Sequence, residues 1–142
     1  MANIIPYAFR GELFTGTHNF ASGGDDFKLA LYTANPYTTA STVYSATTEV
    51  SSAGGSNYTT TGNALTGNAV AYSTAVASCD FDDTQWTSAT FTAAFGAIYN
   101  DDQSDKLCVV LDFDGDKTAT NGTFKISFPT PATPADAIIS MA

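Results

Sequence analysis

Between Ala89 and Phe128, apolar side chains recur with period two in three consecutive runs: FTAAFGAIYN, KLCVVLDF and TFKISF. An extended chain sends successive side chains to opposite faces, so each run reads as a β-strand. Phe91, Ala93, Phe95, Ala97 and Tyr99 share one face of the first run. Leu107, Val109, Leu111 and Phe113 share one face of the second, and Phe124, Ile126 and Phe128 one face of the third. The linkers NDDQSD and DGDKTATNG are too short for a crossover helix, which predicts three consecutive antiparallel strands. The opposite faces, with Ala94, Gly96, Ile98, Cys108 and Val110, are also mostly apolar. A sheet covered on both sides is therefore expected, by a second sheet or by a neighbouring subunit.

The rest of the chain supplies elements to pack on this centre. Ile5, Phe9 and Leu13 recur at spacing four, with Pro6 suited to a first turn and Gly16 to a C-terminal cap, which predicts a short helix over about 7–15. DFKLALYT, residues 26–33, alternates as a strand and stops at Asn35-Pro36. Residues 35–64 form a long irregular loop, with one helical turn expected near 42–46. A loop of that length in a compact domain calls for a role. Tyr37, Tyr44 and Tyr58 with Glu49, its only charge, are the candidate subunit or capsid interface residues. The competing expectation has those tyrosines pack the loop over its own fold. Residues 64–73 and 74–81 read as two strands meeting near Ser73, and Trp86 enters the next as a core or edge residue. Pro129–Pro134 is a spacer, and residues 137–141 form a last strand that closes a sheet or is donated to a neighbour.

The whole is a single domain, 1–142, all-β, an antiparallel β-sandwich of about seven or eight strands, jelly-roll-like or Greek key, with one short N-terminal helix.

Charged residues are only 13%, about half the usual share, and Thr, Ser, Ala and Asn fill their place. This hydroxyl-rich composition is common in β-rich extracellular or virion proteins. A net charge of −9 repels phosphate, so neither nucleic acid nor membrane is an expected partner. The N-terminus lacks the pattern of a secretory signal, and no apolar run approaches a membrane span.

Candidate chemistry is sparse. Asp112, Asp114 and Asp116 begin like a calcium loop, but the glycine comes one place early and Thr123 stands where Glu is required. Asp80, Asp82 and Asp83 form a second cluster, expected to cap backbone amides in a turn. A hydrolase built on these carboxylates requires Asp82 and Asp112 to line one pocket. His18, the only histidine, is expected in a surface turn, and Cys79 and Cys108 as small buried side chains. No cofactor, metal site or catalytic residue is expected.

The order of features carries a resemblance. A short helix leads to D-F-K-L-A-L-Y, then a Tyr/Ser/Thr loop with T-T-E-V, then Asn57-Tyr58-x-x-x-Gly62-x-x-Leu65. F-D-D-x-x-W-T-S-A-T-F follows at Phe81–Phe91, and L-D-F-D-G-D-x-x-x-x-N-G-x-F at Leu111–Phe124. This order is similar to that of small virion structural proteins of tailed bacteriophages. The chain departs from that pattern in the middle loop, where Gly55-Ser56-Asn57-Tyr58 precedes a single Gly62. The resemblance implies a non-enzymatic capsid decoration (cement) protein in the virion, assembled in the host cytoplasm. Its implied partners are the major capsid protein and other copies of itself, as dimer or trimer. The alternative is a tail or neck module, or a carbohydrate-binding module using Trp86 or the tyrosines.

Overall fold

The computed structural model describes residues 3–73, 75–129 and 137–141. One helix, α1 (Tyr7–Phe14), precedes β1 (Phe27–Tyr32), β2 (Asn63–Ala64), β3 (Ala69–Tyr72), β4 (Ala77–Asp80), β5 (Thr84–Asn100), β6 (Lys106–Ile126) and β7 (Ile139–Met141). The fold is all-β apart from α1, with two antiparallel sheets in the orders β2-β1-β5-β6 and β3-β4-β7.

The helix forms where its spacing and end signals placed it. Pro6 is extended and caps it, and Thr17 N–H reaches the Glu12 carbonyl while Gly16 N–H reaches that of Leu13. That pair of bonds is a Schellman ending, which requires a left-handed residue, here Gly16 at φ 68°. A Cβ at Gly16 would meet nothing, so Gly16→Ala should cost only backbone strain, about 1 kcal/mol by urea unfolding.

The three central runs resolve differently from their sequence pattern. The first two pair antiparallel as β5 and β6, as expected. The third run is no separate strand beside the second. Residues 124–126 are the far end of β6, paired with Thr84–Trp86 at the start of β5. The intervening DGDKTATNG is not a linker but part of the same strand, broken by bulges. Phe95 pairs with Asp112 and Ala93 with Lys117, so β6 carries several extra residues there. Asp114 and Gly115 take φ 55° and 99° to accommodate them.

These bulges also redistribute the alternating faces. Phe91 and Ala93 join the main core with Ile98, whereas Ala97 and Tyr99 join a second one. The single face expected for residues 91–99 is thus divided at the register shift between Ala93 and Phe95. Another shift beside Cys108 sends Leu107 to the second core and Val109 to the first. A bulge inserts one residue, and one residue reverses a period of two.

The sheet containing β1 is covered on both sides, as its apolar faces require. Phe27, Leu29 and Leu31 point into the main core, which also takes Phe9 from α1 and Cys79 and Ile139 from the smaller sheet. Ala30 and Tyr32 point into the second core. That one is closed by Ile4 and by Tyr37 and Tyr44 of the long loop. The chain covers its own second face.

The segment over 42–46 makes no helical turn. Val43 instead forms an isolated bridge with Lys106, and Glu49 one with Tyr32, tying the loop to strand ends. β3 and β4 form a hairpin, with Ser73 N–H on the Val76 carbonyl. β3 begins at Ala69 because Asn63 and Ala64 are taken by β1 as β2. β7 closes the smaller sheet on β4 of its own chain. The proline-rich spacer lies, beyond Pro129, outside the described residues.

Candidate functional site

The four residues singled out in the long loop come together, and they do so inside the chain. Glu49 is their centre. Its Oε2 accepts from the Tyr44 hydroxyl at 2.6 Å, and its Oε1 from the Tyr58 hydroxyl and the Thr61 N–H, both at 2.7 Å. Tyr58 in turn accepts the Leu31 N–H of β1 at 3.0 Å. Tyr37 shares a 2.7 Å bond with Tyr32, and its oxygen accepts the Ser45 N–H. Tyr99 donates to the Thr61 carbonyl. Tyr37 and Tyr58 are buried, Tyr44 and Glu49 half-buried. The cluster straps residues 37–61 to β1 and β5.

Burial removes solvation from the phenolates and pushes the phenols of Tyr32, Tyr58 and Tyr99 well above their ordinary value. For Tyr58, donation to Glu49 adds to this. The folded chain therefore holds protons that the unfolded chain loses near pH 10, so this stability is intact below about pH 10 and falls above it. Three buried phenols give a slope of about 4 kcal/mol per pH unit. Tyrosinate absorbance and far-UV circular dichroism should change together in one alkaline transition, rather than the phenols titrating in the folded state.

A second polar cluster lies between α1 and the main sheet. His18 is not in an exposed turn: it is buried, with its ring 5.1 Å from that of Phe9. Asn100 Nδ2 donates both to Asp25 and to His18 Nδ1. An acceptor Nδ1 puts the proton of the neutral ring on Nε2, which donates to Glu12 at 2.8 Å. Glu12 also receives Lys106 at 2.6 Å. Cys108 Sγ lies 3.9 Å from His18 Nδ1, which gives a thiol, imidazole and carboxylate in line. The order imitates a nucleophilic triad, but the thiol is pushed well above its ordinary range by burial, and Nδ1 is already engaged by Asn100. The Cys79 thiol is likewise pushed up, to about 12, chiefly by burial. These groups tie α1 to β5 and β6.

The aspartates disperse. Asp112 accepts the Asp114 N–H at the bulge in β6 and lines a cleft of about 690 Å³ along that strand. Asp82 is not on that cleft; it receives the Thr66 hydroxyl beside Gly67. The common pocket that a two-carboxylate hydrolase needs is not formed by this pair. Asp83 caps the Phe128 N–H and pairs with Lys125 at 2.8 Å. Among the described residues, no three of His, Cys, Asp and Glu converge as metal ligands. Trp86 is buried among Tyr58, Phe91 and Phe124, a core position.

What reaches solvent is an apolar patch that the sequence pattern did not single out. Phe14, at the end of α1, is 93% exposed, Tyr72 84% and Met141 58%. Between α1 and β7 runs a groove of about 330 Å³, walled by Leu13 and Phe14 on one side and Ile139 and Met141 on the other. Among the described residues that line it, Arg10 is the one charged side chain. The available signal was Phe14 itself, a large apolar residue off the helix's own Ile5, Phe9, Leu13 stripe. Phe14 and Met141 face each other across this groove, and exposed apolar surface of this kind is suited to contact with other macromolecules. No protein-family model, curated protein or solved structure matches this chain.

Proposed function

We propose that this chain is a non-enzymatic structural protein of a tailed-bacteriophage virion, a capsid decoration protein that binds the outside of the major capsid protein shell as a dimer or trimer. The observation that carries the reading is the exposed patch of Phe14, Tyr72 and Met141, in a chain whose candidate catalytic groups are engaged with one another. Such a surface suits docking to protein. The motif order from the N-terminal helix to Phe124 supports the virion assignment. The acidic, hydroxyl-rich exterior suits attachment to a basic shell surface.

The finer reading of the fold is a β-sandwich with Greek-key connections. Phe27 and Leu29 of one sheet and Cys79 and Ile139 of the other share one core, and β1 lies between β2 and β5 while the intervening β3 and β4 belong to the other sheet. Protein added to purified shells that lack it should co-sediment with them at a stoichiometry approaching that of the shell subunit. Protein that stays in the supernatant at every ratio contradicts the assignment.

A further inference from the structure

We propose that copies of this chain join head to tail, edge strand β3 of one copy adding to the open edge of β7 on the next. In the smaller sheet, β3 and β7 each pair only with β4 among the described residues. Among the described residues, each therefore has one side whose backbone donors and acceptors meet no strand. Register fixes what else these edges carry. Val70, Cys79 and Ile139 form one row across the sheet, and Tyr72, Ala77 and Met141 the next. Cys79 and Ile139 belong to the main core, so both rows face α1. The first row is largely covered there. The second overhangs, leaving Tyr72 and Met141 in solvent.

The groove between α1 and β7 lies at that overhang. A strand laid along β7 sends every second side chain into it. Val70 and Tyr72 are the exposed apolar pair on β3 with that spacing, 52% and 84% exposed. Charge points the same way. Arg10 lines the groove and makes no ion pair among the described residues; it donates to the Ile5 carbonyl and lies over the Tyr7 ring. Lys28, Lys106 and Lys125 are each paired with a carboxylate, and Lys117 lies in β6 on the other cleft, away from this edge. Asp82, held beside Thr66 and Gly67 just ahead of β3, would arrive with the incoming edge. Two chains of net charge −9 thus meet where one offers a cation and the other a carboxylate.

A β3-to-β7 contact uses two different patches, so it propagates head to tail until it closes into a ring. The inference rests on the proposed function only for the statement that copies associate, and not on the shell. Sedimentation velocity on the full chain tests it, with Phe14→Lys spoiling the groove and Tyr72→Lys spoiling β3. Both side chains are exposed, and circular dichroism checks that each variant folds. Wild type should sediment as a closed ring, and each variant alone as a monomer, its association weakened by about thirtyfold or more. An equimolar mixture of the two should form a 1:1 dimer, because one intact groove and one intact edge remain. A wild type that stays monomeric overturns the proposal. So does Tyr72→Lys assembling like wild type, the signature of a two-fold contact through β7 alone, or a mixture that yields no dimer. A monomeric wild type that still binds shells would sink this inference and leave the decoration reading standing.

Discussion

Glu49→Ala should lower stability by about 3 kcal/mol, seen as a lower urea midpoint with an unchanged slope. The carboxylate accepts the Tyr44 and Tyr58 hydroxyls and the Thr61 N–H, and alanine leaves all three donors without their acceptor. Tyr58 then also loses the group that orients it toward the Leu31 N–H. Glu49→Gln separates charge from shape. The amide keeps an oxygen for Tyr58 and Thr61, and the Tyr44 hydroxyl can turn to accept from the new NH₂. The expected cost is about 1 kcal/mol. Equal costs for the two variants would mean that the negative charge, rather than the geometry, holds the loop.

Gly62→Ala should be at least as damaging, about 3–4 kcal/mol, and for a different reason. Gly62 has φ 79°, a conformation that L side chains rarely adopt. A Cβ there would fall on the Leu29 carbonyl and 2.7 Å from the Ala30 Cα, all backbone of the central strand β1. Nothing in β1 can rotate aside, so residues 61–64 would have to withdraw. That gives up the pairing of Asn63 and Ala64 with β1 and disturbs both bonds at Thr61. Hydrogen exchange should accelerate first at Leu29 and at Leu65, whose N–H donates to the Phe27 carbonyl. Because Glu49 and Gly62 hold the same segment, the double variant should lose less than the sum of the two. Additive losses would show that the loop is fastened at independent points.

The secondary structure was largely legible because it depends on local periodicity. The helix, β1, the β3–β4 hairpin and the terminal strand all lie within the expected segments. The main failure has a single physical cause. DGDKTATNG carries every mark of a turn, with Asp, Asn and two glycines, yet it lies within one strand. Turn residues supply positive φ, and a bulge needs positive φ as much as a hairpin does. Only the partner strand distinguishes them, and β5 is long enough to pair with both halves of β6. The face assignments of Ala97 and Tyr99 failed with it, and that of Leu107 failed at the separate shift beside Cys108.

The candidate site was legible in membership but not in arrangement. Tyr37, Tyr44, Glu49 and Tyr58 are a real constellation, because one charge among tyrosines in a polar loop needs partners. Whether those partners lie in the same chain depends on Tyr32, Leu31 and Tyr99, which the loop meets only after folding. His18 was misplaced for the same reason. Its neighbours Asn100 and Cys108 are distant in sequence, and no local pattern announces a buried imidazole. The apolar patch was hidden because it brings Phe14 of α1 to Met141 of β7, residues far apart in the sequence.

The most direct test of the central claim is the copy number of this protein in purified virions, measured by quantitative mass spectrometry against the major capsid protein. A protein repeated over the capsid lattice should be present in a number comparable to that of the shell subunit. A handful of copies per virion would contradict decoration and move the protein to neck or tail, and complete absence would overturn the virion assignment itself.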